Sequence, residues 1–306
     1  MSSIKAKIIT ELLRPARKNF PRRHVELRSL SDLAQIELID LQKFAKSNKG
    51  MKWISVVINA LSKFGYAEPL PNKQGPTVAA AMDKILSRSR ERFDNVQSDF
   101  GTEFYCAPFK KIMQKYNINH YSSFSTKKSS IAERWVKTIK QALFKNFQLQ
   151  GSYEWVSQLQ RIVDEYNNKV HSSIGMKPAA VSKKHERMLL KKIAANRYIR
   201  RSKIRFKLGD TVRVSKYKQI FDKSYYPNWN TEIFIISKIR RSNPPVFYLN
   251  DLANEHVLGG FYGPELQKTK LKDDYLIEKV LKRTGNRIYV KWLGFAKPSW
   301  TSATAN

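Results

Sequence analysis

The sequence predicts an α/β layered domain followed by smaller all-β modules, and three patterns carry that prediction. Nearly continuous apolar runs between residues 31 and 70 read as strands buried on both faces. Helical and extended patterns then alternate as far as residue 168, which describes helices layered on a sheet. Beyond residue 206, short apolar runs recur between Gly, Pro and Asn, the signature of a small β-barrel.

Taken in order, residues 1–30 are a basic lead-in carrying Arg14, Arg17, Lys18, Arg22, Arg23 and Arg28, with room for a short helix near Ile8 to Leu13. From Ser31 the runs AQIELID and KWISVVINALSKFGYAEPL read as strands, the second long and almost unbroken. The Ser-Asn-Lys-Gly turn between them predicts an antiparallel hairpin. GPTVAAAMDKILSRSRERF reads as a helix with Pro76 and Thr77 at its start, and NVQSD as a short strand. A helix from Phe104 to Tyr116, a strand at INHYS, and helices from Ser129 to Phe147 and Tyr153 to Asn168 complete a core spanning 31–182. Residues 183–205 are dense in Lys and Arg, with only a narrow stripe of Met188, Leu189, Leu190 and Ile193, and predict a basic helical linker. The runs FKLGDTVRVS, EIFIISKI and VFYLNDL place the barrel at 206–271, and 272–306 holds a last hairpin through Gly285-Asn286.

Charge decides the class of partner. Lys and Arg number 57 against 25 Asp and Glu, a formal net charge of +32 over 306 residues, so a polyanion is the natural partner. No run of about 18 apolar residues and no apolar N-terminal signal is present, which argues against a membrane span or secretion and favours nucleic acid over lipid. The single cysteine, Cys106, excludes an internal disulfide and a thiolate zinc cluster and fits a reducing compartment. A lone Cys without an obvious neighbouring His is read as packed, not as a nucleophile. Residues 1–30 hold no paired Cys and His ligands for zinc.

Acidic residues are scarce, so their placement is informative. Phosphoryl transfer by paired metal ions needs several carboxylates brought to one point. Asp99 ends the short strand in VQSDFGTEF, where Gly101 lets the chain turn away. Glu133 comes early in the helix SSIAERWVKTIK, and Lys137 and Lys140, at +4 and +7, share its face. That face presents a metal ligand beside two phosphate anchors.

DNVQSDFGTEF, SSIAERWVKTIKQAL and YNNKVHSSIGMKPAAV resemble the catalytic core of retroviral and retrotransposon integrases, of the ribonuclease H-like DDE superfamily. With FAKSNKGMKWISVVINALSKFGYAEPL, the chain is most similar to integrases of Polinton (Maverick) DNA transposons, closely over residues 14–182 and more loosely beyond. The resemblance implies a ribonuclease H-like integrase core and Mg²⁺-dependent (or Mn²⁺-dependent) joining of DNA ends. It gives Asp99 and Glu133 the second and third metal-ligand positions and brings Lys137 and Lys140 to the DNA end, with Lys127 and Lys128 as further DNA contacts. The first ligand register falls on AQIE and puts Glu37 where the family carries Asp. Asp40 stands three residues on, and an odd offset along a strand points to the other face unless a bulge intervenes.

The tail extends the resemblance. The barrel, with Lys207, Arg213, Lys216 and Lys218, is similar to the C-terminal DNA-binding domain of integrases, which implies phosphate contact without sequence readout. DYLIEKVL and YVKWLGF resemble a chromodomain, with Tyr275, Trp292 and Phe295 at the positions of its methyl-lysine cage, and the closing helix absent, hence a truncated chromodomain. The implied setting is the nucleus, with double-stranded DNA and histone tails as partners and a homo-oligomer as the active form. Glu37 also leaves open a non-catalytic DNA or chromatin adaptor, and a nuclease that only hydrolyses is a third reading.

Overall fold

A computed structural model describes residues 4–17, 19–22, 25–122, 130–195, 204–216, 226–270, 277–292 and 297–303. The chain divides into two compact units, one spanning His24–Tyr198 and the other combining Met1–Arg23 with Ile199–Asn306. In order, the elements begin with α1 (Ile4–Leu13), β1 (Leu33–Asp40), β2 (Trp53–Asn59), β3 (Gly65–Leu70), α2 (Gly75–Ser87), β4 (Asn95–Ser98), α3 (Thr102–Tyr105) and α4 (Ala107–Lys115). They continue with β5 (Asn119–Ser122), α5 (Ser130–Gln150), α6 (Val156–Asn168), α7 (Glu186–Ala195), β6 (Thr211–Val214) and β7 (Phe234–Arg240). The last are β8 (Val246–Asn250), β9 (His256–Tyr262), β10 (Leu266–Lys268), β11 (Ile277–Thr284), β12 (Arg287–Trp292) and β13 (Ser299–Ser302). Among the described residues the architecture is mixed α/β with three sheets.

In the unit His24–Tyr198 the strand order is β3-β2-β1-β4-β5. β2 runs antiparallel to its neighbours β1 and β3, whereas β4 and β5 add in parallel. Helices cover both faces, so strand residues of both parities are buried, as the near-continuous apolar runs require. Ala34 and Ile36 pack with Val78, Met82 and Ile85 of α2 on one face. On the other, Ile39, Ile54 and Val56 pack with Trp135, Ile139, Leu143 and Phe147, a stripe at helical spacing along α5.

Three expectations change at this level. The long run expected as one strand is a hairpin of β2 and β3, because Asn59 folds its side chain into the turn. Its Oδ1 accepts the N–H groups of Leu61 at 2.8 Å and Ser62 at 2.9 Å, and Lys63 takes a left-handed φ of 62°. The turn is hidden in the pattern because Ala60 and Leu61 are themselves buried. The single helix expected from Phe104 to Tyr116 is broken into α3 and α4 at Cys106, which is extended and followed by Pro108 in the first turn of α4. The expected linker docks on the core as far as Ala195: Leu189 of α7 is wholly buried with Leu30, Leu61, Ile174 and Val181, and the Glu186 carboxylate accepts the Leu30 N–H at 2.7 Å.

In the other unit, α1 buries Ile8 and Leu12 against Trp229. Five antiparallel strands follow in the order β10-β6-β7-β8-β9 around Phe206, Val212, Ile236, Phe247 and Leu249. The two outer strands, β9 and β10, are joined by only the three-residue turn Gly263–Glu265, so the sheet curls to bring its edges together. The hairpin through Gly285 forms with φ 56°, and β13 adds a third strand that sets Trp300 against Tyr289 at 5.2 Å.

Candidate functional site

The direction of the chain through the first sheet reverses at β1 and β4, which lie side by side in parallel. In open α/β sheets the crevice outside the C-terminal ends of such a strand pair is the place where a site can form. The register pairs Gln35 with Gln97, a separation of 62 residues, and the same offset brings Glu37 level with Asp99, just beyond the end of β4.

A buried amide pair lies directly below the two acids. Gln35 and Gln97 are 0% and 4% exposed, and Gln35 Nε2 donates to Gln97 Oε1 at 2.8 Å. Gln35 Oε1 accepts the backbone N–H groups of Ile131 at 3.1 Å and Ala132 at 3.0 Å, satisfying two of the orphan donors at the start of α5. One side chain therefore ties β1, β4 and α5 together, and Glu133 stands in the first turn of the helix so held. Asp99 is fixed from its own backbone. Its Oδ1 accepts the Gly101 N–H at 2.9 Å, and its carbonyl accepts the hydroxyls of Ser98 and Ser122, both at 2.6 Å.

The Glu133 and Asp99 carboxylates lie near enough to Glu37 to act on its charge. The half-buried Glu37 carboxyl is pushed up to about 7, first by burial, then by the Glu133 and Asp99 carboxylates, while Lys140 pulls it back. Glu133, Lys137 and Lys140 are all exposed on one side of α5. Asp40 has the opposite parity on β1, and its carboxylate accepts the Gln42 N–H at 2.9 Å and Gln42 Nε2 at 3.0 Å. Among the described residues no three His, Cys, Asp or Glu side chains stand close enough to hold a metal ion without moving.

The chain is similar to a transposon-derived protein. An uncharacterized transposon-derived protein of Caenorhabditis elegans matches it at 29% identity over 195 residues, 64% of this chain. The matched stretch spans 66% of that relative's length. This similarity supports a transposon origin. No protein-family model matches the chain.

The remaining predicted residues divide by placement. Lys207 and Lys216 are exposed beside β6. Arg213 is not at the surface: it is 1% exposed, with its guanidinium donating to the carbonyls of Asn230 and Thr231 and lying 3.5 Å from the Glu11 carboxylate. The alternation of β6 turns it inward, so it ties α1 to the sheet and is removed from the set of phosphate contacts. Lys127, Lys128, Lys218, Tyr275 and Phe295 lie outside the described residues. Trp292 is on β12 and donates its Nε1–H to Ser299 Oγ at 2.8 Å. No described helix is long and apolar enough to cross a membrane. Sequence reasoning missed the Gln35 and Gln97 pair, whose one signal was a polar residue at a buried strand position two before each acid.

Proposed function

We propose that the protein is an integrase-like DNA-handling protein with a ribonuclease H-like core, a small DNA-binding barrel and a chromodomain-like segment, acting on DNA by polynucleotidyl transfer. The observation that carries this reading is the register of β1 on β4, which sets Glu37 level with Asp99 at the reversal point of the sheet, with the Glu133 carboxylate near enough to raise the Glu37 pKa. Three carboxylates with one nearby lysine leave excess negative charge at a point, and hard oxygen donors suit Mg²⁺ or Mn²⁺. The exposed Asp99 and Glu133 side chains would swing toward Glu37 to complete the ligand set. When bound, the metal supplies Lewis-acid polarisation of the phosphate. Lys137 and Lys140 hold the phosphates of a DNA end against the carboxylates, and the Gln35 clamp fixes the distance between β1 and α5. Lys207 and Lys216 take further phosphates without reading bases. Double-stranded DNA is the partner, and the chain works in the nucleus as a homo-oligomer. Trp292, together with Tyr275 and Phe295, is offered as a methyl-lysine contact for histone tails.

Glu in place of Asp at position 37 favours a second reading, a catalytically impaired copy that serves as a DNA or chromatin adaptor. The extra methylene displaces the carboxylate by roughly 1 Å, enough to cost about 100-fold where alignment is tight. Joining of a labelled DNA end to a plasmid decides between them. Weak joining is expected, stronger with Mn²⁺, raised by Glu37→Asp, abolished by Asp99→Asn or Glu133→Gln, and indifferent to Asp40→Asn. Silence from every variant, Glu37→Asp included, leaves the adaptor.

A further inference from the structure

A second basic feature of the unit His24–Tyr198 flanks α5 on a different side from Glu133. A cleft of about 500 Å³ opens where the start of α5, the end of α6 and the β2–β3 turn meet. Its lining carries Lys63, Arg134, Lys169 and His171 with several hydroxyls, and none of the described lining residues is acidic. Arg134 and Lys169 form no ion pair among the described residues, and both are exposed. His171 is held below its usual pKa by burial and then by Lys63 and Arg134, so the charges that face it are cations. Its Nδ1 is within 3.0 Å of Ser173 Oγ.

Lys63 is buried and donates to the Ala60 carbonyl, so the two exposed cations, Arg134 and Lys169, are the ones whose charge calls for an anion from outside. A guanidinium beside hydroxyl donors matches phosphate oxygens, which accept from a planar fork and from O–H groups together. Arg134 and Thr138 occupy the helical stripe adjoining Glu133, Lys137 and Lys140. A helix with its side chains is roughly 10 Å across. At about 3.4 Å of axial rise per phosphate on one strand, a strand lying on Lys137 and Lys140 reaches this cleft within roughly three phosphates.

We propose that this cleft binds a backbone phosphate of nucleic acid, as a second anchor beside the carboxylate site on the flank of α5. The inference rests on the DNA-handling reading above and adds to it a site independent of the carboxylates. The test is fluorescence anisotropy of a labelled duplex with the full chain across a salt series, comparing the parent with the double variant Arg134→Ala/Lys169→Ala. Every phosphate that the protein ceases to neutralise lowers the slope of log K against log salt by roughly 0.9, so losing this one should lower it by about 0.9. Arg134→Lys/Lys169→Arg should recover most of the slope, and Glu133→Gln should leave it no shallower. Thermal melting of each variant, with and without pyrophosphate, checks folding and the source of the phosphate. An unchanged DNA slope with loss of pyrophosphate protection would assign the cleft to a small free phosphate and overturn the nucleic-acid anchor. An unchanged slope with unchanged protection overturns the site altogether. Absence of salt-dependent DNA binding by the parent chain would instead sink the DNA-handling reading and this inference with it.

Discussion

Glu37 shows how the candidate site stands in tension with stability. An unfolded Glu titrates near 4.5, whereas the folded carboxyl is pushed up to about 7 by burial and by two neighbouring carboxylates. Between those values the folded chain binds a proton that the unfolded chain has released, so this group lowers stability as pH rises through 7. Glu37→Gln removes that term. After discounting for solvent screening, it should gain about 1 kcal/mol above pH 7, a rise in Tm of roughly 2–4 °C, and gain nothing at pH 4. Melting curves at pH 4 and pH 8 check this, and identical Tm values at pH 8 would contradict the crowding of charge around Glu37. Gly65 is constrained from the opposite direction: a Cβ there would press into the ring of Trp135, itself 1% exposed. Gly65→Ala should cost about 1–3 kcal/mol in urea unfolding, because overpacking a dense core forces the ring or β3 to shift.

Among the elements, α5 depends on a cap that its own sequence does not supply. Ser130 opens the helix, yet the N–H groups of Ile131 and Ala132 are taken by Gln35 from β1. Gln35→Leu keeps the volume but leaves those donors and the Gln97 carbonyl without their partner, at a cost of about 1–3 kcal/mol for each buried unsatisfied group. Hydrogen exchange at Ile131 and Ala132 should accelerate markedly, and any DNA joining should fall with it because Glu133 loses its fixed origin. Exchange rates equal to the parent's would refute the clamp. The N-terminal α1 is likewise defined by what it meets. Its Ile8 and Leu12 bury on Trp229, and Glu11 lies against the inward guanidinium of Arg213.

On the scale of the whole molecule, the two units give separate expectations. Removing residues 1–23 takes two aliphatic side chains out of a core, each about 1.5–3 kcal/mol, and deprives a buried guanidinium of a carboxylate. The unit containing Ile199–Asn306 should therefore melt earlier while His24–Tyr198 keeps its transition. Calorimetry reads both, and an equal shift of the two would refute the division. The +32 charge predicts duplex binding that falls at least ~10-fold between 50 and 200 mM salt, with little sequence preference. Affinity that scarcely moves over that range would remove electrostatics as the driving force.

The sequence by itself determined the α/β class, the alternation of helix and strand in the core, the antiparallel pairing of β1 with β2 and the basic character of the surface. These follow from periodicity and composition, which are local or additive. It also singled out Asp99, Glu133, Lys137 and Lys140, because acids are few and spacing along one helix is fixed, whereas Glu37 was named only through the resemblance to a family motif. Tertiary structure decided what local pattern cannot encode. Whether Arg213 faces water or α1, whether residues 183–195 link or dock, and where β2 turns into β3 are set by partners far along the chain. The Gln35 clamp joins residues 35, 97, 131 and 132, and a hydrogen bond across such separations leaves no periodic trace. Burial of a polar side chain is stable only when its partners arrive together, so that knowledge resides in the folded arrangement and not in any one segment.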